Sequence, residues 1–246
     1  MGVIPARFAS TRLPGKPLRV LAGKPLIQHV YNAALRCETL DRIVIATDHH
    51  DILTACKKFG ADAVMTSEEC PSGSDRIAEA IKKLPGDIIA NIQGDEPLMD
   101  ATVVDRCVQI LLENPAVDVC SAMTPILQME DYLSPNVVKV VCNGDGDALY
   151  FSRSPIPSFS RLTESEAEAA LSQARKHLGL YVYRRTALQA FVDLPAGRYE
   201  SIEKLEQLRY LENGFRIRMV EVAEDSVGVD TPEDADRAER LILERG

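Results

Sequence analysis

The feature that most constrains the fold is a regular alternation, through the first half of the chain, of short β-branched runs with longer helical patterns. The predicted strands are Val3-Ile4 and residues 43–47, 63–65 and 87–92, and the predicted helices are residues 26–36, 51–59, 75–84 and 101–113. Strands that alternate with helices pair in parallel and read as nearly unbroken apolar runs. The pattern therefore predicts an α/β fold with a predominantly parallel central sheet covered by helices on both faces.

The second half departs from this order at two apolar runs, residues 137–142 and 148–152. They are joined by Asn143-Gly144-Asp145-Gly146, which is a strong signal for a β-hairpin. Later patterns predict a helix at 164–174, a strand at 178–183, a helix at 202–212, a strand at 217–222, and a last helix that Thr231 caps. We interpret residues 1–246 as a single domain with an annex at about 134–185, in which the hairpin is a candidate dimerisation element.

The charge balance narrows the function. The chain has 28 Lys and Arg against 37 Asp and Glu, a formal charge of -9, so nucleic acid is an improbable main partner. No apolar run approaches the roughly 20 residues that span a bilayer, and no signal peptide is evident, so we expect a cytoplasmic protein without a membrane partner. The first 24 residues nevertheless carry five basic side chains and no acidic one. This local excess indicates a small anionic ligand.

The basic residues cluster in the segment 5–17, between the first strand and the first helix. A loop at the carboxyl end of a parallel strand lies where open α/β sheets bind ligands. Arg7, Arg12 and Lys16 supply two guanidinium groups and an ammonium, beside small residues whose backbone amides are accessible, and a polyphosphate requires such donors. The alternative is an ordinary solvated turn.

Two common nucleotide motifs are absent. Gly15-Lys16 and Gly23-Lys24 are both followed by proline, whereas a Walker A loop needs Ser or Thr there. No glycine fingerprint for a dinucleotide follows the first strand, and neither a G-x-S-x-G elbow nor an H-E-x-x-H helix occurs. ATPases of the Walker type, hydrolases and zinc proteases therefore have no motif in this chain.

Two aspartates are candidate metal ligands. Asp95 follows the strongly apolar run 87–92, and Asp230 immediately precedes the capped last helix. Mg²⁺ prefers oxygen ligands, uses few carboxylates and shares its remaining positions with substrate phosphates. The two aspartates could hold one Mg²⁺ ion, or each could satisfy only nearby amides at a turn or a helix start.

Among the histidines, we expect structural roles for His29, His49 and His50, and leave His177 open between ligand and core.

Eight short segments together resemble one enzyme family, the 3-deoxy-manno-octulosonate (Kdo) cytidylyltransferases, nearly from end to end. They are Ile4-Pro5-Ala6-Arg7, residues 10–17, Ala46-Thr47-Asp48, residues 72–76, Gln93-Gly94-Asp95-Glu96-Pro97, residues 149–153, His177-Leu178-Gly179-Leu180-Tyr181 and residues 229–234. The first loop alone is shared with other sugar nucleotidyltransferases, but its combination with residues 93–97 and 177–179 is specific to this family.

The resemblance implies a nucleotide-diphospho-sugar transferase-like fold, a homodimer, and the reaction of CTP with Kdo to give CMP-Kdo and pyrophosphate for lipopolysaccharide biosynthesis. It assigns the triphosphate to Arg7, Ser10, Arg12 and Lys16, the rest of the nucleotide to Ser74, Arg76 and Gln93, Mg²⁺ to Asp95 and Asp230, and the sugar acid to Arg153, His177, Tyr181, Glu206 and Gln207. Arg7, Lys16, Asp95 and Asp230 would be the catalytic residues. Another 2-keto sugar acid, such as 8-amino-Kdo or sialic acid, or a catalytically silent nucleotide-binding module, stays open as an alternative.

Overall fold

The apolar runs of the first half form the parallel strands that the sequence predicts. The computed structural model describes residues 1–9, 13–223, 225 and 227–245. Its backbone divides into two units, which we call unit one, residues 1–108 with 226–246, and unit two, residues 109–225. The strands of the unit one sheet are β1 (Gly2–Ala6), β4 (Ile43–Thr47), β5 (Ala63–Met65) and β6 (Ile88–Asn91).

These four strands lie in the order β6-β1-β4-β5, and every pair of neighbours is parallel. All five residues of β4 and the last three of β6 are buried. Side chains buried on both faces of a strand must all be apolar or small, which explains why these runs show no alternation with polar residues. Because these strands run parallel, the carboxyl ends of β1, β4 and β6 lie along one edge of the sheet.

The helices of unit one are α1 (Leu26–Ala34), α2 (His50–Lys58), α3 (Gly73–Ile81), α10 (Pro232–Arg245) and the first part of α4 (Ala101–Glu113), which continues into unit two. Three of them, α2, α3 and α10, begin at side-chain caps, whereas α1 begins after Pro25 without one. The Ser72 hydroxyl accepts from the amide of Asp75 at the start of α3. Thr231 and Asp234 form the predicted capping box of α10, in which each side chain accepts from the backbone of the other.

A short antiparallel ribbon lies between the first loop and α1, and the sequence patterns did not predict it. Its strands are β2 (Val20–Leu21) and β3 (Lys24–Pro25), joined by Ala22 and Gly23, which both have positive φ. The Ala22 amide donates to Glu239 of α10. One buried cluster contains Leu13, Leu21, Leu26, Val229, Ala235 and Ala238. This cluster fixes the chain on both sides of Asp230 to the base of the first loop.

Unit two contains a mixed sheet. Its strands are β7 (Val119–Pro125), β8 (Lys139–Cys142), β9 (Ala148–Ser152), β10 (Arg175–Arg184) and β11 (Ile217–Glu221). In it β11 runs parallel to β7, whereas β10 runs antiparallel to both β7 and β8, and β8 with β9 forms the predicted hairpin. The strand expected at 178–183 is longer, and its register against β7 shifts between Leu178 and Tyr181.

The helices of unit two are α5 (Met129–Leu133), α6 (Glu164–Ala170), α7 (Arg185–Asp193), α8 (Arg198–Glu203) and α9 (Gln207–Glu212). The single helix predicted at 202–212 is wrong. Lys204 ends α8 in the left-handed conformation, with φ of 56°, and α9 starts only at Gln207. A non-glycine residue with positive φ is uncommon and stops the α-helical hydrogen-bond ladder, and sequence periodicity does not reveal it.

The structure confirms the α/β class and the mostly parallel arrangement of the first half. The organisation as one domain with an annex at about 134–185, and the role of the hairpin in dimerisation, stay predictions. Among the helices in the described ranges, none is long and apolar enough to cross a membrane.

Candidate active site

The loop after β1 is attached to the end of β4. The amide of Phe8 donates to Asp48 Oδ1 over 3.0 Å, and the Phe8 ring stacks on His49 with centroids 3.8 Å apart. The Gly15 amide, at φ of 65°, donates back to the Phe8 carbonyl. Arg7 is exposed at the start of the loop. Ser10 and Arg12, which the family resemblance assigns to the triphosphate, lie outside the described residues.

Lys16 leaves this loop and contacts both candidate metal ligands. Its ammonium Nζ lies 2.7 Å from Asp95 Oδ2 and 3.0 Å from Asp230 Oδ1. The two aspartates lie 79 and 214 residues after Lys16 in the sequence. The Asp95 and Asp230 side chains are 32% and 47% exposed, so both carboxylates are in contact with solvent. The structure therefore brings together three of the four predicted catalytic residues.

Backbone contacts set the position of both carboxylates. The carbonyl of Asp95 accepts from the amide of buried Val229, which places Asp230 beside Asp95. Gly94 allows the close approach to β1, since a Cβ atom there would lie 2.5 Å from the Pro5 carbonyl oxygen. Asp234 accepts from the amides of Asp230 and Thr231. Burial opposes ionisation of Asp234, but these hydrogen bonds and the Thr231 hydroxyl lower its pKa overall.

The donor set fits a magnesium ion. Within the described ranges, no group of three or more His, Cys, Asp or Glu side chains could hold a metal, so the available protein ligands are the two carboxylates. Mg²⁺ is commonly held by one or two carboxylates with substrate phosphates and water, whereas a structural zinc site needs four protein ligands. Asp95 and Asp230 thus provide what a Mg²⁺ ion shared with a phosphate needs, and Lys16 balances part of their charge.

The residues that the resemblance assigns to the rest of the nucleotide differ in exposure. Gln93 is half-buried just beyond β6, and Ser74 is buried in the first turn of α3. Arg76 is 3% exposed, and its guanidinium donates to Asp48 Oδ2 at 2.8 Å and to the Thr66 hydroxyl at 2.6 Å. Arg76 therefore holds Asp48, the residue that binds the first loop, and its direct contact with a nucleotide stays a prediction.

Arg153, at the end of β9 in unit two, is fixed by backbone carbonyls. Its Nε donates to Glu203 O at 2.9 Å, Nη1 to Pro135 O at 3.0 Å and Nη2 to Lys204 O at 3.4 Å. A guanidinium has five N–H donors, so two remain, one on each terminal nitrogen, with no hydrogen bond to any residue the structure describes. Two such donors can bind the two oxygens of a carboxylate.

His177 and Tyr181 lie on β10 with aromatic neighbours. The His177 ring packs edge-on against Phe151, with centroids 4.9 Å apart, and tilted against Tyr181 at 5.4 Å. Burial raises the pKa of Tyr181 well above its usual value, and Tyr183 and Glu206 add to this shift. Gln207 is buried at the start of α9, whereas Glu206 before it is exposed.

The hydrogen bonds of Ser121 indicate the tautomer of His177. Ser121 Oγ lies 2.7 Å from the Leu180 carbonyl and 3.0 Å from His177 Nε2. A hydroxyl has one hydrogen, which the carbonyl must receive, so Nε2 carries a hydrogen and donates to Ser121 Oγ. Burial lowers the pKa of His177 to about 3, so the ring is neutral at pH 7 and its Nδ1 is an acceptor.

Sequence reasoning missed several residues that hold this machinery. Asp48 anchors the first loop, Ser121 orients His177, and Lys139 and Glu203 both contact Arg153. His49, for which we expect a structural role from the sequence, stacks on Phe8 in that loop. The one signal available for Lys139 was its charge within the apolar run 137–142. Side chains that act through other side chains leave no motif of their own.

The fold agrees with comparisons to known proteins. The chain belongs to the cytidylyltransferase family, a family of nucleotidyltransferases, whose model matches residues 1–219. It is 48% identical, over 96% of both chains, to the 3-deoxy-manno-octulosonate cytidylyltransferase of Geobacter sulfurreducens. It is 46% identical to the enzyme of that name from Bdellovibrio bacteriovorus, over 100% of this chain and 98% of the relative. The structure of CMP:2-keto-3-deoxy-manno-octonic acid synthetase complexed with CTP superimposes with a TM-score of 0.93 at 41% identity, over 100% of this chain and 98% of that one.

Proposed function

We propose that this protein is a Mg²⁺-dependent 3-deoxy-manno-octulosonate cytidylyltransferase, which converts CTP and Kdo to CMP-Kdo and pyrophosphate. The observation that carries the proposal is the convergence of Lys16, Asp95 and Asp230, which provides one cation and two metal-binding carboxylates for a nucleoside triphosphate. The full-length similarity to relatives named for this reaction supports the sugar and the nucleotide. The product would supply the Kdo units of lipopolysaccharide.

CTP would bind to the residues of unit one. Arg7 and Lys16, with Arg12 from the predicted loop, neutralise the triphosphate, and Ser10 hydrogen-bonds to it. Ser74, Arg76 and Gln93 are the proposed contacts to the rest of the nucleotide. Asp95 and Asp230 would hold Mg²⁺. The bound ion would also take phosphate oxygens as ligands and would withdraw negative charge from the phosphates. Catalysis of this kind rests on positioning and charge neutralisation, because the protein forms no covalent bond to the substrate.

The sugar acid would bind to the residues of unit two. The two remaining N–H groups of Arg153 can donate to the two oxygens of the sugar carboxylate. Tyr181, Glu206 and Gln207 can form hydrogen bonds with the hydroxyl groups of the sugar. His177 Nδ1 accepts a hydrogen bond from a hydroxyl group of the sugar. With a pKa of about 3 it is a weak base, so it orients a hydroxyl rather than retaining the proton at neutral pH.

In the reaction, the anomeric hydroxyl oxygen of Kdo attacks the α-phosphorus of CTP, the bond from that phosphorus to the bridging oxygen of pyrophosphate breaks, and the hydroxyl proton is released to solvent. We test the proposal by measuring pyrophosphate release with CTP and Mg²⁺ in the presence of Kdo, 8-amino-Kdo, sialic acid or no sugar. We expect release with Kdo. If only another sugar acid gives release, that acid is the substrate in place of Kdo and the proposed nucleotide site still holds. If no acid gives release, the result favours a catalytically silent binding module.

Two further features support the proposed setting. No disulfide joins any of the six cysteines, as is usual for proteins of the reducing cytoplasm, where we place the enzyme. In the described ranges, seven of the eleven exposed large apolar side chains lie in unit two, which favours that unit as the interface of the proposed homodimer. Light scattering in line with gel filtration would check the dimer, and a monomer at micromolar concentration would contradict it.

A further inference from the structure

Lys139 is an unusual residue for the interior of a strand. Its side chain is fully buried on β8, between apolar neighbours. Burial lowers the pKa of its ammonium, and no carboxylate in the described part of the chain lies within ion-pair distance of it. A buried charge without a direct partner costs several kcal/mol of desolvation, which a purely packing role would avoid with an apolar residue.

All three donors of the ammonium are used by backbone carbonyls around Arg153. Nζ lies 2.6 Å from Arg153 O, 2.8 Å from Ser134 O and 2.8 Å from Val137 O. The last two flank Pro135, whose carbonyl accepts from Arg153 Nη1. Lys139 therefore holds the main chain of Arg153 directly and holds one anchor of its guanidinium through the segment 134–137.

Glu203 holds the opposite side of the same residue. Its Oε2 accepts from the Arg153 amide at 2.9 Å, its Oε1 accepts from the Ser152 hydroxyl at 2.6 Å, and its own carbonyl accepts from Arg153 Nε. Lys204, held in the left-handed conformation, offers its carbonyl to Nη2. Of the three carbonyls that accept from the Arg153 guanidinium, one thus belongs to Glu203, one to Lys204 directly after it, and one to the segment that Lys139 holds.

From this arrangement we infer that Lys139 and Glu203 are positioning residues for the sugar carboxylate. They set the orientation in which the two remaining N–H donors of Arg153 meet the substrate. The inference rests on the proposed function, because it deepens the sugar half of the site. A guanidinium that is already held in place loses little entropy when it binds a carboxylate, whereas one that can rotate loses more. Displacing the groups that hold Arg153 therefore weakens carboxylate binding and leaves nucleotide binding unchanged.

A double-mutant cycle separates this role from mere structural support. We expect Lys139→Met to raise KM for Kdo about tenfold with KM for CTP within about twofold, when Arg153 is present. In an Arg153→Met background the same substitution should change KM for Kdo by less than about twofold, because the group that Lys139 positions is gone. The control is Lys58→Met, on the exposed face of α2, which should leave both constants unchanged.

The outcomes are distinct. Equal effects of Lys139→Met in both backgrounds, or parallel rises in both KM values, would overturn the inference while leaving the proposed function intact. If Lys139→Met does not fold, Glu203→Gln replaces it in the same cycle, with the same expected dependence on Arg153. Wild-type protein that releases no pyrophosphate with Kdo and CTP would overturn the proposed function, and the inference with it.

Discussion

At the scale of single residues, the contact of Lys16 with Asp95 and Asp230 leaves the three groups with one excess negative charge. Replacing either aspartate by asparagine keeps the shape and removes one metal-binding charge. We expect Asp95→Asn and Asp230→Asn each to lower kcat at least about a hundredfold, because the electrostatic stabilisation of the phosphates is lost. Pyrophosphate release measures this, and thermal melting should show that both variants stay folded.

Glu233→Gln is the matched control for charge. Glu233 is exposed on the first turn of α10, three residues after Asp230, so its removal lowers the local negative charge without touching the cluster. It should keep wild-type kinetics. Wild-type turnover in both aspartate variants would refute the metal assignment.

His177 gives a prediction about pH and stability. Its pKa of about 3 in the folded protein lies below the usual value of 6.5. Between these values the unfolded chain binds a proton that the folded chain does not, so the free energy of unfolding falls as the pH drops from about 6.5 and stops falling from this cause below about 3. In urea titrations between pH 6.5 and 5, His177→Gln should show a shallower fall than wild type. His50→Gln, on an exposed side chain, controls for loss of an imidazole, and an equal slope in wild type and His177→Gln would exclude the effect.

At the scale of elements, the close approach of the ends of β1 and β6 depends on Gly94. Gly94→Ala places a methyl group 2.5 Å from the Pro5 carbonyl oxygen, which is shorter than a carbon–oxygen contact allows, so the segment after β6 must move away from β1. We expect a loss of about 1–3 kcal/mol in the free energy of unfolding together with reduced kcat, since Asp95 moves with the backbone. Gly144→Ala, in the open hairpin turn, meets nothing within 4 Å and should be nearly neutral. Urea unfolding and pyrophosphate release check both.

The attachment of the first loop to β4 depends on the buried pair of Asp48 and Arg76. Asp48→Asn leaves the guanidinium of Arg76 buried without its carboxylate, so we expect it to cost about 3–5 kcal/mol of stability and to raise KM for CTP. Asp62→Asn breaks an exposed pair with Arg42 and should cost less than about 1 kcal/mol. Equal losses for the two variants would show that Asp48 does not hold the loop.

The sequence predicted those elements whose signal is local. The bounds of β4, β5 and α4 match the predicted ranges, because an unbroken apolar run and a long amphipathic stretch each favour one type of secondary structure. The sequence did not decide whether Asp95 and Asp230 lie close together, because their convergence depends on a hydrogen bond from the amide of Val229 to the carbonyl of Asp95. The break at Lys204 and the anchors of Arg153 depend on tertiary contacts, and no period or motif encodes them.

At the scale of the whole molecule, the proposed substrates divide between the units. All proposed CTP and Mg²⁺ contacts lie in unit one, and all proposed sugar contacts lie in unit two. Ligands that bind only the folded chain stabilise it, by about 2.7 kcal/mol at one hundred times Kd, and slow the exchange of the amides they cover. We expect CTP with Mg²⁺ to raise the melting temperature, and EDTA to remove most of this rise.

Hydrogen exchange would locate the two substrates separately. CTP with Mg²⁺ should protect the segments around Lys16, residues 93–96 and the start of α10, whereas Kdo with no nucleotide should protect residues 152–153, 177–181 and 203–207. Asp95→Asn should lose the first pattern and keep the second, because the sugar residues do not depend on the metal. Protection of unit one alone by Kdo would contradict this division, and would place the sugar carboxylate on the basic loop instead of on Arg153.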